Sequence, residues 1–102
     1  MTDDRPQFLL TLRLRPPGTL ESLSEAEVRS ASEHFAYAQS LLDRGHLIFA
    51  GRTQDDAPTG LIALHAADES EARALAEADP AIASGLFEWD VRPYQVVLRA
   101  PD

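Results

Sequence analysis

The stretch HLIFAGRTQDDAPTGLIALHA, residues 46–66, decides the fold. His46 to Gly51 reads as a short strand, with Leu47 and Phe49 on one face and His46, Ile48 and Ala50 on the other. Arg52 to Thr59 holds Asp55, Asp56 and Pro58, so it reads as a loop. Gly60 to Ala66 is the return strand, and a turn centred on Asp55 and Asp56 sets Ile62 and Leu64 opposite Phe49 and Leu47. The segment is therefore a β-hairpin, and the chain on either side of it shows what the hairpin joins.

On the N-terminal side, Phe8, Leu10, Leu12 and Leu14 alternate with Leu9, Thr11, Arg13 and Arg15, the period of a strand with one buried face. Pro16-Pro17-Gly18 stops it. Ser24 to Glu27 is a capping box, in which the serine oxygen and the Glu27 carboxylate satisfy free N–H groups at a helix start. Val28, Ala31, Phe35, Ala38 and Leu42 then recur at alternate spacings of three and four as a core-facing stripe, and Gly45 stands where the helix ends, after about five turns. On the C-terminal side, Asp68 and Glu71 open a second helix with a narrow stripe of Ala72, Leu75 and Ala76. Asp79-Pro80 breaks that pattern and starts a short turn to Ser84. Leu86 to Leu98 reads as a long closing strand interrupted near Pro93, with Phe87, Trp89 and Val91 facing away from Glu88, Asp90 and Arg92.

The order is βαββαβ. Two crossovers flanking a hairpin describe an α+β, ferredoxin-like sandwich: a four-stranded antiparallel sheet with two helices on one face. The expected core holds Phe8, Leu10, Leu12, Leu14, Leu47, Phe49, Ile62 and Leu64. The other face carries Leu9, Ile48, Leu61 and Ala63 among Thr11, Arg13, His46 and His65, more aliphatics than a freely solvated face needs. A homodimer packed sheet to sheet is expected.

At 102 residues, a single domain (residues 1–102, structured core about 7–99) can remove roughly two-thirds of its unfolded surface from water without disulfides or a structural metal. Nine basic residues against 17 acidic ones give a net charge of −8, which repels phosphate backbones and anionic lipid and argues against nucleic-acid and membrane partners. The absence of cysteine excludes thiol nucleophiles, thiolate zinc sites and iron–sulfur clusters. With no apolar run of membrane-spanning or secretory length, the expected location is the cytoplasm.

Three sets of residues could carry chemistry. His34 lies about 70° from the centre of the first helix's apolar stripe, at the border where clefts form. A histidine there suits general acid–base work, or simply covers apolar surface while a nitrogen meets water. Asp79, held in a bend by Pro80, could orient an imidazole, or serve only as the cap of the short helix. His46 and His65 face one another across the hairpin, which makes a two-histidine metal site conceivable, though no third ligand is evident. Arg13 and Arg92 could bind a carboxylate or phenolate, or pair with Glu88 and Asp90. No phosphate-cradling glycine loop or GxSxG elbow is present.

His34 through Gly45 to Ala50-Gly51, then Ala78-Asp79-Pro80, Gly85-Leu86-Phe87-Glu88 and Val91-Arg92-Pro93-Tyr94, resemble the YciI-like (YCII-related) family over about Phe8 to Leu98. The resemblance implies the dimeric α+β-barrel form of the ferredoxin-like fold and an active site built on a His–Asp pair, matched here by His34 and Asp79. It also implies proton-transfer chemistry of the lyase or isomerase type on a small ring or carbonyl compound, without metal or organic cofactor; Arg13 is the expected anion contact. The alternative is a non-catalytic dimeric domain that binds a small molecule or serves as an accessory. Two departures stand out. Relatives often carry an aromatic after Asp-Pro, where Ala81 would shrink a pocket wall, and a longer connection in place of Arg52 to Thr59, so any lid is reduced.

Overall fold

In a computed structural model, residues 4–101 are described. Strand β1 (Gln7–Leu14) leads through a single 3-10 turn (Leu20–Ser22) to helix α1 (Glu25–Asp43). Strands β2 (Leu47–Arg52) and β3 (Thr59–His65) form the hairpin, followed by α2 (Glu69–Glu77), the short α3 (Pro80–Ala83) and β4 (Phe87–Tyr94). All pairings are antiparallel, in the order β2-β3-β1-β4. This is the expected ferredoxin-like α+β arrangement. One core joins Phe8, Leu10 and Leu12 of β1 to Leu41 of α1, Ala72 and Ala76 of α2, and Ile82 of α3.

Local chemistry sets the boundaries. The Ser24 hydroxyl accepts from the Glu27 N–H at 3.2 Å and the Glu27 carboxylate accepts from the Ser24 N–H at 2.9 Å, closing the capping box. At the other end Gly45, with φ +80°, donates to Leu42 while His46 donates to Leu41, a Schellman closure that turns the chain into β2. Gly85, at φ +84°, does the same after α3, through Gly85 to Ile82 and Leu86 to Ala81, and launches β4. The alanine stripe of α2 lets that helix lie close against the sheet, where Ala72 and Ala76 are fully buried.

Three expectations need correction. Leu47 does pair with Leu64, but an irregularity at Ile48 sets Phe49 opposite Ala63 and Ala50 opposite Ile62. This bulge reverses the alternation, so Phe49 turns to the outer sheet face and Ala50 takes the inner one. Second, α1 buries a different face from its most apolar stripe: Leu41 is 2% exposed whereas Phe35 is 73% exposed, and Val28 and Leu42 are also exposed. The inward face runs through His34, Tyr37 and Leu41, with the Tyr37 hydroxyl donating to the Leu75 carbonyl at 2.7 Å. A polar anchor on each neighbouring helix, rather than the apolar period, fixes the rotation of α1. Third, β4 ends at Tyr94, because its ladder to β1 runs out at Gln7; beyond it the Val96 N–H donates to the Gln7 side chain, and Val97 and Leu98 are exposed. Pro93 is tolerated within β4 because this is an edge strand.

On the outer face, Arg13 pairs with Glu88 at 2.8 Å and Arg92 with Asp90 at 2.7 Å. The hydrogen bond from Arg92 holds the Asp90 carboxyl below its ordinary value. The rotation of α1 has a measurable consequence. Leu41→Ala is expected to lower the unfolding free energy in urea by about 2–5 kcal/mol, and Phe35→Ala by less than about 1 kcal/mol. The reverse ranking would show that the apolar stripe is the packed face.

Candidate active site

Asp79 has the extended backbone of an N-cap (φ −68°, ψ 122°), and Pro80 supplies the first helical position of α3. One carboxylate oxygen, Oδ1, accepts from the Ala81 N–H at 2.9 Å. The other, Oδ2, lies 2.5 Å from Nδ1 of His34, which comes from the middle of α1 and is 45 residues away in sequence. The carboxylate is therefore both cap and histidine partner, one oxygen to each task. At 1% exposure it is the one buried polar or charged residue among the described residues, and these two donors compensate for lost water.

The contact also orients the imidazole. An ionised carboxylate only accepts, so Nδ1 carries the proton and Nε2 is the nitrogen left for other chemistry. The ring packs edge-on against Phe87, with centroids 5.0 Å apart and planes at 72°. Its side chain is 21% exposed, and that part lines a pocket of about 500 Å³ between α1 and the hairpin. Leu12, Leu14, Ile62 and Phe87 form the sheet side, Ala31, Phe35 and Ala38 the helix side, and Leu20, Leu23 and Pro58 the remaining wall.

Two features of the hairpin keep this space open. The bulge at Ile48 replaces the expected inward Phe49 with Ala50, which lines the pocket. In the next row, Arg52 pairs with Gly60 and Gly60 with Leu12, so the middle position carries no side chain. A Cβ added at Gly60 would meet only ordinary contacts, the nearest being Leu12 Cβ at 3.7 Å. The glycine therefore leaves volume to the pocket rather than relieving a backbone clash.

The structure thus brings His34 and Asp79 together and separates Arg13 from them. Strand alternation puts Arg13 on the face opposite Leu12 and Leu14, where Glu88 holds it; it does not line the pocket. The arginine that lines the pocket is instead Arg52, which the sequence alone reads as the first residue of a loop. Its signal was the pairing with Gly60, visible only once the bulge shifts the register. Ala81 is fully buried against Leu14 and Leu86 and forms no part of the pocket wall. The short connection after Arg52 contributes Pro58 to the wall, and its Asp56 carbonyl accepts from the Leu20 N–H at 2.8 Å. His46 and His65 are neighbours through the backbone of His65, whose N–H donates to the His46 carbonyl at 2.7 Å. His46 Nδ1 donates to the His65 carbonyl at 3.0 Å, and no group of three potential metal ligands occurs among the described residues.

The profile of the YCII-related domain matches residues 4–95. The chain belongs to the YCII-related family. No curated protein gives a significant sequence match. Among solved structures, the chain is similar to 5-chloro-2-hydroxyhydroquinone dehydrochlorinase (TftG) from Burkholderia phenoliruptrix, in complex with 2,5-dihydroxybenzoquinone. That likeness has a TM-score of 0.67 at 23% identity, covering 87% of this chain and 93% of TftG, and it is one of fold. Among the described residues, no helix of this family member is long and apolar enough to cross a membrane.

The divided role of Asp79 separates two variants. Asp79→Ala removes cap and partner together and should cost about 2–4 kcal/mol of stability in urea unfolding. Asp79→Asn can keep the cap while offering an amide N–H to Nδ1, so it should cost less and move the His34 proton to Nε2. Nitrogen-15 NMR of the imidazole reads this tautomer, and an unchanged pattern in Asp79→Asn would show that Asp79 does not orient the ring.

Proposed function

We propose that this protein is a small enzyme of the lyase or isomerase type. His34 is its general acid–base, Asp79 its orienting carboxylate, and a small cyclic or carbonyl compound its substrate. The observation that carries this reading is the Nδ1 contact to a buried carboxylate from a ring lining an apolar pocket of about 500 Å³. A pocket of this size encloses one ring-sized ligand. Nε2 accepts a proton from a carbon next to a carbonyl or from a ring hydroxyl, and Asp79 stabilises the imidazolium that forms. The electrons released either form a double bond as a leaving group departs with its bonding pair, or shift and take the proton back at another position. These steps need neither a covalent nucleophile nor a redox cofactor. The dehydrochlorinase activity and quinone ligand named for TftG support the same class of substrate.

The direct test is turnover of activated cyclic ketones and chlorinated hydroquinones, followed as deuterium uptake from solvent or as chloride release. His34→Ala should lose about 10²–10⁴-fold in rate. Equal rates in wild type and His34→Ala would sink the reading, leaving the pocket as that of a binding or accessory domain.

The reading also takes residues 1–102 as one domain of a homodimer formed through the outer sheet face. In its support, Leu9, Ala63 and Phe49 form one row across that face, and Leu61 adds to the apolar surface in the next. Light scattering should give about twice the chain mass of 11.2 kDa, and Phe49→Asp should halve it. A monomeric wild type at tens of micromolar, roughly the range where specific dimers persist, removes the dimer from the proposal.

A further inference from the structure

Arg52 is the last residue of β2 and occupies the inner sheet row with Gly60 and Leu12. Arg52 lines the same pocket as His34, with no carboxylate-bearing residue in that lining among the described residues. Acidic residues outnumber basic ones almost two to one in this chain, so the pocket's charge is opposite in sign to that of the whole molecule. Most arginines already have partners: Arg13 and Arg92 pair with carboxylates, Arg73 with Glu69, and Arg15 and Arg44 with backbone carbonyls. Arg52 makes no ion pair or side-chain hydrogen bond among the described residues.

A neutral ring filling this pocket would strip water from the guanidinium without replacing the lost interactions. A ring carrying an oxyanion would replace them with charge-assisted hydrogen bonds. We propose that Arg52 is the specificity-determining residue of the pocket and selects small cyclic ligands bearing a carboxylate or phenolate, which it holds while His34 faces the ring. Gly60, between Arg52 and Leu12, leaves the floor on which the ring lies. This deepens the proton-transfer reading, on which it rests for the part played by His34, and narrows the substrate to ring oxyanions. It also gives a second driving force: Arg52 withdraws charge from a phenolate or conjugated carboxylate and so makes the neighbouring proton easier to remove.

The test uses matched probes on the full chain: benzoate against benzamide, and para-nitrophenolate against para-nitroanisole, titrated by amide NMR. The wild type should bind each anion about tenfold more tightly than its neutral partner, with shifts at Ala38, Ala50 and Gly60. Arg52→Met should lose that preference to within about twofold, and Arg52→Lys should restore part of it. Arg52 is exposed, so both variants should melt with the wild type. Equal affinity for anion and neutral partner in the wild type, a preference that survives in Arg52→Met, or no binding of either anion overturns the assignment. His34→Gln should keep the preference while losing turnover. An Arg52-dependent preference together with unaltered turnover in His34→Gln would preserve the anion site and reject the proton-transfer reading.

Discussion

The site depends on how one carboxylate is shared. Asp79 lies at the junction of α2, α3 and α1, almost completely removed from water. An unpartnered carboxylate in such a place is strongly destabilising, so its two oxygens must find donors. The backbone of α3 supplies one and the imidazole of α1 supplies the other. Because each donor is fixed in a different element, the carboxylate sets the position of α1 against α3 and, through it, the pocket wall. The fold and the site are therefore held by the same atoms.

The sheet contributes by omission. A regular hairpin would point Phe49 toward α1, into the space the pocket occupies. The bulge at Ile48 turns that ring to the other side and leaves Ala50, while Gly60 clears the neighbouring row. The same register brings Arg52 to the inner face. Cavity and charge thus have a common origin in one extra residue of an edge strand, where such irregularities interrupt the fewest hydrogen bonds.

Much of this was legible in the chain. Ser24 with Glu27, Gly45, Asp68 with Glu71, and Asp79-Pro80 mark element boundaries through chemistry that acts within a few residues, and each boundary lies where that chemistry puts it. Asp79 could be singled out from the proline that follows it, whereas His34 stood at the edge of a stripe that is in fact exposed, and only the family resemblance joined the two. Features set by distant partners were not legible. The buried face of α1 is one of these: Phe35 is more apolar than His34, yet the hydrogen bonds of His34 and Tyr37 decide which side turns inward. The bulge leaves no mark in Leu47-Ile48-Phe49, a run equally compatible with a regular strand. Arg52 was not legible as a pocket residue for the same reason: without the shifted register, nothing in the sequence places it beside a cavity.

The Leu20 N–H to Asp56 carbonyl bond bears on how the pocket is filled. It ties the turn before α1 to the connection between β2 and β3, and so joins two parts of the pocket wall that are far apart in sequence. Within that connection, Thr53 and Thr59 close a further pair of hydrogen bonds, at 2.9 and 2.8 Å. A boundary tied in this way is in place before anything enters the pocket, so filling it leaves little ordering of loops to be done. The same bonds fix the width of the opening, because widening it would break backbone hydrogen bonds on the rim.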